Sequence, residues 1–356
     1  MTGTCFAPEV AKVRCLLVGI MSWLRRRLER IVQDRPWNDP ALDAALDRLP
    51  ALQQAALVEH VLEYLRPLRG EVERHAQATE AFAERLTMSL DLLRWRVGRA
   101  GDDPGTAADA RALLGQALVA RGWEVRTADR AQNVSQDQWR RFGILLREAD
   151  EVLTGALEAR PYHPAAASAR LRVALGVGPE SADDLRERFA IATHDRATLY
   201  PAHWLMLSIQ CRKWYGSDEA MFGFARDVAA SAPPGDPVSA MLPLAHIEFR
   251  LSTEMFKRPG GKQAVQAERA RDLPAVVEAS RRWCGDGTRP ISPHARDVEA
   301  HQLFGWYLST DRSHRDRARW HLEQAGTRKA FLPWEFLPPD PDMSFRMARS
   351  RVGATR

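Results

Sequence analysis

The stretch DQWRRFGILLREADEVLTGALEARPYHPAAASARLRVALG, residues 137–176, decides how the chain is read. A helical pattern runs from Asp137 to about Arg160 and halts at Pro161 and Pro164, because proline lacks a backbone N–H and clashes with the turn before it. A second pattern, Ala165 to Leu175, stops at Gly176. Two helices joined by so short a connection form an antiparallel hairpin.

Further pairs are predicted outward from it, at 181–195 with 201–213, 217–231 with 238–256, 272–284 with 294–309, and 314–326 with a short piece near Trp334. The units begin about 36 to 55 residues apart, near the period of about 34 to 47 residues seen in helical-hairpin repeats. One hairpin cannot bury both of its apolar faces, so hairpins stack and leave a concave outer surface. Small residues such as Ala149, Ala156, Ala225 and Ala245 suit the contacts between them. The widest interval is taken up by Lys257–Asp272, expected to be an exposed basic loop.

Toward the N-terminus, residues 41–68 and 71–98 carry apolar side chains at helical spacing, and a third helix over 106–121 is expected to end at Gly122. No stretch alternates β-branched residues as a half-buried strand would. The predicted class is therefore all-α. Its expected parts are an amphipathic basic helix over 1–35, an N-terminal helical bundle over 36–125, an irregular tetratricopeptide-like α-solenoid over 126–337, and a mobile tail over 338–356.

Composition agrees with an ordinary globular protein: of 356 residues, 45% are hydrophobic and 27% charged. Basic residues exceed acidic ones by only 51 to 46, a mixed surface that is a poor basis for nucleic-acid binding. Cys5, Cys15, Cys211 and Cys284 lie too far apart for a C-x-x-C pair, which points to reduced thiols in a cytoplasm.

The longest apolar run, Cys15 to Leu24, is about half of the roughly 18 to 20 residues a spanning helix needs. Arg25, Arg26 and Arg27 follow it where an export signal would carry small residues, so no export is expected, and Met21 is a candidate initiator. Val10, Val13, Leu17, Ile20, Leu24, Leu28 and Ile31 share one helical face. With Arg25, Arg26, Arg27 and Arg30 beside it, that face suits either packing on the next helix or peripheral contact with an anionic membrane.

The densest local feature is Arg212-Lys213-Trp214-Tyr215-Gly216-Ser217-Asp218-Glu219-Ala220-Met221-Phe222-Gly223-Phe224-Ala225-Arg226. Gly216 is placed to close one helix with its backbone freedom, Ser217 to cap the next, and Asp218 and Glu219 to complement its positive end. Lys213, Trp214, Gly216, Ser217, Met221, Phe224 and Ala225 resemble the signature of a family of uncharacterised bacterial helical-repeat proteins. The resemblance covers about Arg121 to Phe249, with weaker features at Arg121-Gly122, Trp139 to Leu157, and Ala245-His246-x-Glu248. It implies tetratricopeptide-like helical repeats and no established reaction.

Arg212, Lys213, Trp214, Ser217, His246 and Glu248 are the candidate ligand-binding residues, since a basic pair beside an aromatic and a helix N-terminus can hold a carboxylate or phosphate. The alternative is that they serve only to turn the chain. Nucleophile-elbow, zinc-protease and phosphate-loop motifs are missing from the chain, so no catalytic residue, cofactor or metal is assigned. The nearest approach to a ligand set is His294, Glu299 and His301, with His314 and His321 further along. Phe304, Trp306, Tyr307, Trp320, Phe331, Trp334 and Phe336 are expected to close the end of the array, with a ligand groove as the alternative. The expected function is an interaction scaffold for a protein or peptide partner. The second reading is an unrecognised enzyme or small-ligand binder at the Arg212–Ser217 corner.

Overall fold

The computed structural model describes residues 35–99, 101, 103–127, 131–285, 293–337 and 340–354. Arg25, Arg26, Arg27 and Arg30, with Cys5, Cys15 and the rest of the expected basic N-terminal helix, lie outside the described residues, apart from Arg35. Among the described residues every long element is a helix, and no helix is long and apolar enough to cross a membrane.

The first half comprises α1 (Pro40–Arg48), α2 (Gln54–Leu65), α3 (Val72–Arg85), α4 (Leu90–Val97), α5 (Pro104–Arg126), α6 (Gln136–Ala159) and α7 (Pro164–Val177). The second comprises α8 (Ala182–Ala192), α9 (Tyr200–Ile209), α10 (Asp218–Ser231), α11 (Met241–Met255), α12 (Gly261–Cys284), α13 (Asp297–Leu308), α14 (Arg315–Gln324) and α15 (Pro341–Val352). Their starts follow from local chemistry. Asp39, Asp103 and Asp340 each precede a proline at the first helical position and accept backbone N–H groups that have no intrahelical partner. Ser135, Ser181 and Ser217 cap α6, α8 and α10, and Ser135 forms a reciprocal box with Gln138.

Several boundaries differ from the sequence reading. Residues 41–68 divide at a short turn around Pro50, and residues 71–98 divide after Arg85. The helix expected to stop at Gly122 continues to Arg126. Gly122 serves packing there instead, since an added Cβ would lie 3.3 Å from the Phe142 ring. The basic segment Lys257–Asp272 is mostly helix, because strong helix formers follow the left-handed Gly260 and carry α12 from Gly261 onward. The tail expected to be mobile folds as α15, which buries Phe345, Ala348 and Val352 against the rest of the chain.

One core joins α1 through α7 around Leu62, Phe82, Leu113, Phe142, Leu146 and Leu153. It does not divide at residue 125, where the bundle was expected to end: α5 packs on α6 across that point, with Gly115 opposite Leu153. A second core joins α9 through α15 around Phe222, Leu244, Trp283, Phe304, Trp334 and Phe345. Ala76, Leu171, Leu199, Ala202 and Ile209 bridge the two.

Polar ties then connect residues far apart in the chain. Gln77 on α3 donates to the carbonyl of Ala295 (2.6 Å), and Arg296 pairs with Glu80 (2.7 Å). Arg328 pairs with Asp43 on α1 (2.7 Å). In a linear solenoid each repeat touches only its neighbours; here α1 and α3 meet the segments after residue 293.

Candidate functional site

The Arg212–Ser217 corner is built by close backbone approach. Helix α9 ends at Ile209 and the chain returns so tightly that a Cβ at Gly216 would lie 2.1 Å from the carbonyl oxygen of Gln210. Glycine is needed here for space, and a left-handed backbone plays no part. Ser217 accepts from the Ala220 N–H (3.1 Å). Lys213 Nζ lies 2.5 Å from the buried carboxylate of Glu248, and Trp214 stands edge-on to Trp123 at 5.6 Å between centroids. Exposed Arg212 lies 3.9 Å from Asp218.

His246 leaves this group. It lies two residues before Glu248 on α11 and packs between Phe222 and Tyr307, with Nε2 at 3.1 Å from Asp272 Oδ2. Burial raises the Asp272 carboxyl, but hydrogen bonds from His246 and Arg226 outweigh it and bring it down to about 2. Of the six residues chosen from sequence, the structure joins Lys213 to Glu248, sends His246 to another contact and leaves Arg212 at the surface. The corner fastens the loop to α11.

The residues nearest to a ligand set in the sequence take other partners. His294 precedes α13 and faces Glu73 at 3.5 Å, Glu299 pairs with Arg296 at 3.0 Å, and His301 contacts His321. A different trio, unsignalled by any local spacing, converges from α3, α5 and the N-cap of α7: His75, Asp109 and His163. Both histidine Nε2 atoms lie 3.0 Å from Asp109 Oδ1, while Arg69 takes Oδ2 at 2.8 Å. The proton positions decide whether a cation fits. His163 Nδ1 accepts from the Ala166 N–H that opens α7 (3.2 Å), so its proton sits on Nε2 and is donated to Asp109. A metal on Nε2 would force that proton to Nδ1, against the Ala166 N–H. The trio is therefore a hydrogen-bonded polar core. Burial pushes His163 down to about 4, which keeps it neutral, whereas the two histidine bonds overcome the burial of Asp109 and hold it ionised.

A second buried relay runs from Arg317 to Ser280 Oγ (2.8 Å), from Ser280 to His321 Nε2 (2.8 Å), and between the Nδ1 atoms of His321 and His301 (2.9 Å). Arg317 can only donate, so Ser280 accepts from it; the Ser280 hydroxyl shares a further hydrogen bond with His321, and His321 shares one with His301. A serine beside a histidine suggests a nucleophile, yet Ser280 and His321 are fully buried among Trp283 and Phe304, out of a substrate's reach. Burial also raises the neighbouring Cys284 thiol, which disfavours its thiolate.

Charge is also buried between α3 and the start of α13. Arg296 bridges Glu80 and Glu299, and Glu73 accepts from the Tyr200 backbone N–H (2.8 Å). Burial pushes Glu299 up to about 7 and Asp297 up to about 6.

The remaining feature is open to solvent. At the C-terminal end a cleft of about 170 Å³ is floored by Trp306 and Trp334, walled by Leu337 and Met347, and rimmed by Arg250 and Arg351. Met347 in its lining is 48% exposed, and Phe331 (57%) and Phe336 (47%) are exposed on the same segment as Trp334 and Leu337. Burial of Phe304, Trp306, Tyr307 and Trp334 agrees with an aromatic end to the core, but Phe331 and Phe336 meet edge to face outside it. Compared with protein-family models, curated proteins and solved structures, the chain shows no match.

Proposed function

We propose that this protein is a helical scaffold, of an irregular tetratricopeptide-like kind, that works by docking another protein or a peptide. The single observation behind this reading is the run of exposed apolar side chains in the C-terminal segments, Phe331, Phe336, Met343 and Met347, the last of which lines the cleft, since exposed apolar patches mark interaction sites. The polar clusters inside the molecule are engaged in mutual pairs and offer a substrate no approach. Packing of α6 on α7, α10 on α11 and α13 on α14 supports the repeat reading, as does the resemblance carried by Lys213 to Ala225. The free buried thiols of Cys211 and Cys284 fit a reducing cytoplasm.

The test is to isolate the tagged chain from its native cells after cross-linking and to weigh the product. A second polypeptide in fixed ratio is the expected result. Recovery of the chain alone, at its own mass, in several growth conditions would refute the proposal.

A further inference from the structure

We infer that the C-terminal cleft holds one bulky apolar side chain from an acidic, amphipathic helical segment of a partner protein. This rests on the scaffold reading and specifies where and what it binds.

Size comes first. A dry cavity of about 150 Å³ holds a benzene ring, whereas pockets for small metabolites run to about 300 Å³ or more. At about 170 Å³ the cleft suits a single aromatic or leucine-sized anchor. Its lining suits that guest, because the indoles of Trp306 and Trp334 give a rigid floor and Met347 a deformable thioether wall. Anchors of this kind dominate the energetics of protein interfaces.

Charge selects the partner. Two arginines and no carboxylate line the cleft. Arg351 is exposed and has no ion pair among the described residues, while Arg250 pairs only along its own helix, with Glu254 at 2.8 Å. An incoming segment therefore meets positive charge beside apolar surface. Met343 and Met347, one turn apart on α15, extend that surface as a stripe on which a helix can lie.

The experiment pans a display library of unbiased 16-residue peptides against the full chain and measures the winners by fluorescence anisotropy. Expected winners carry a bulky apolar anchor flanked by Asp or Glu. Met347→Glu, which sets a carboxylate at the cleft mouth, should weaken them about tenfold or more. Arg351→Glu should weaken acidic winners and favour their lysine-swapped versions. Both positions are exposed, so circular dichroism and thermal midpoints should match the wild type. Absence of any winner, basic or uncharged winners, or winners indifferent to both substitutions would overturn the inference. So would phosphatidylserine vesicles that bind the wild type but not Arg351→Glu, or a self-association abolished by Met347→Glu. A partner cross-linked away from the cleft residues, Arg250, Trp306, Trp334, Leu337, Met347 and Arg351, removes the cleft and leaves the scaffold; no partner at all removes both.

Discussion

Replacing Glu299 by glutamine should make the protein more stable at pH 8 and leave it nearly unchanged at pH 5. In the native state burial lifts the Glu299 carboxyl to about 7, against an ordinary value of 4.5. The folded state thus binds this proton more tightly than the unfolded chain does. Its stabilising contribution is complete below the unfolded value, declines as pH rises toward 7, and is gone above that. A shift of that size is worth about 3 kcal/mol in full, and about 2 to 3 kcal/mol between pH 5 and pH 8. Glutamine keeps the shape, can still accept from Arg296, and removes the titration. Urea denaturation of both proteins at several pH values isolates the effect, because groups that do not interact with Glu299 cancel in the difference. Equal pH dependence in the two, or a variant less stable at pH 8, would show that Arg296 holds Glu299 ionised and that the reasoning fails.

Gly216→Ala should cost about 2 to 4 kcal/mol in chemical denaturation, since its Cβ would meet the Gln210 backbone at 2.1 Å; a neutral result would mean the corner yields easily. Asp109→Asn should cost about 3 kcal/mol or more, because Arg69 and two histidines lose a buried ionised acceptor. Zinc should leave the thermal midpoint of the wild type unmoved, and a rise abolished by His163→Ala would restore the metal reading. Truncation after residue 339 should lower the midpoint, as α15 takes Phe345 and Val352 with it and each such burial is worth about 1.5 to 3 kcal/mol.

How much was legible depended on range. Helical spacing of apolar residues, proline stops and serine caps are local properties, so the helical class, the α6–α7 hairpin and the Ser217 cap could be read directly. Competing local signals misled at Lys257–Asp272 and in the tail. There glycine, proline and charge suggested loops, and good helix formers prevailed, in the tail with an apolar face of Phe345, Ala348 and Val352.

The candidate site was less legible, because His246 and Glu248 are neighbours in sequence yet point to different partners across the fold. By itself the sequence determined an all-helical chain, through a periodicity that each segment carries alone. Tertiary structure alone decided the His75–Asp109–His163 core, the ties from α3 to Ala295 and Arg296, and the cleft beside α15. Those depend on which side chains distant helices bring together, and no spacing along the chain encodes that.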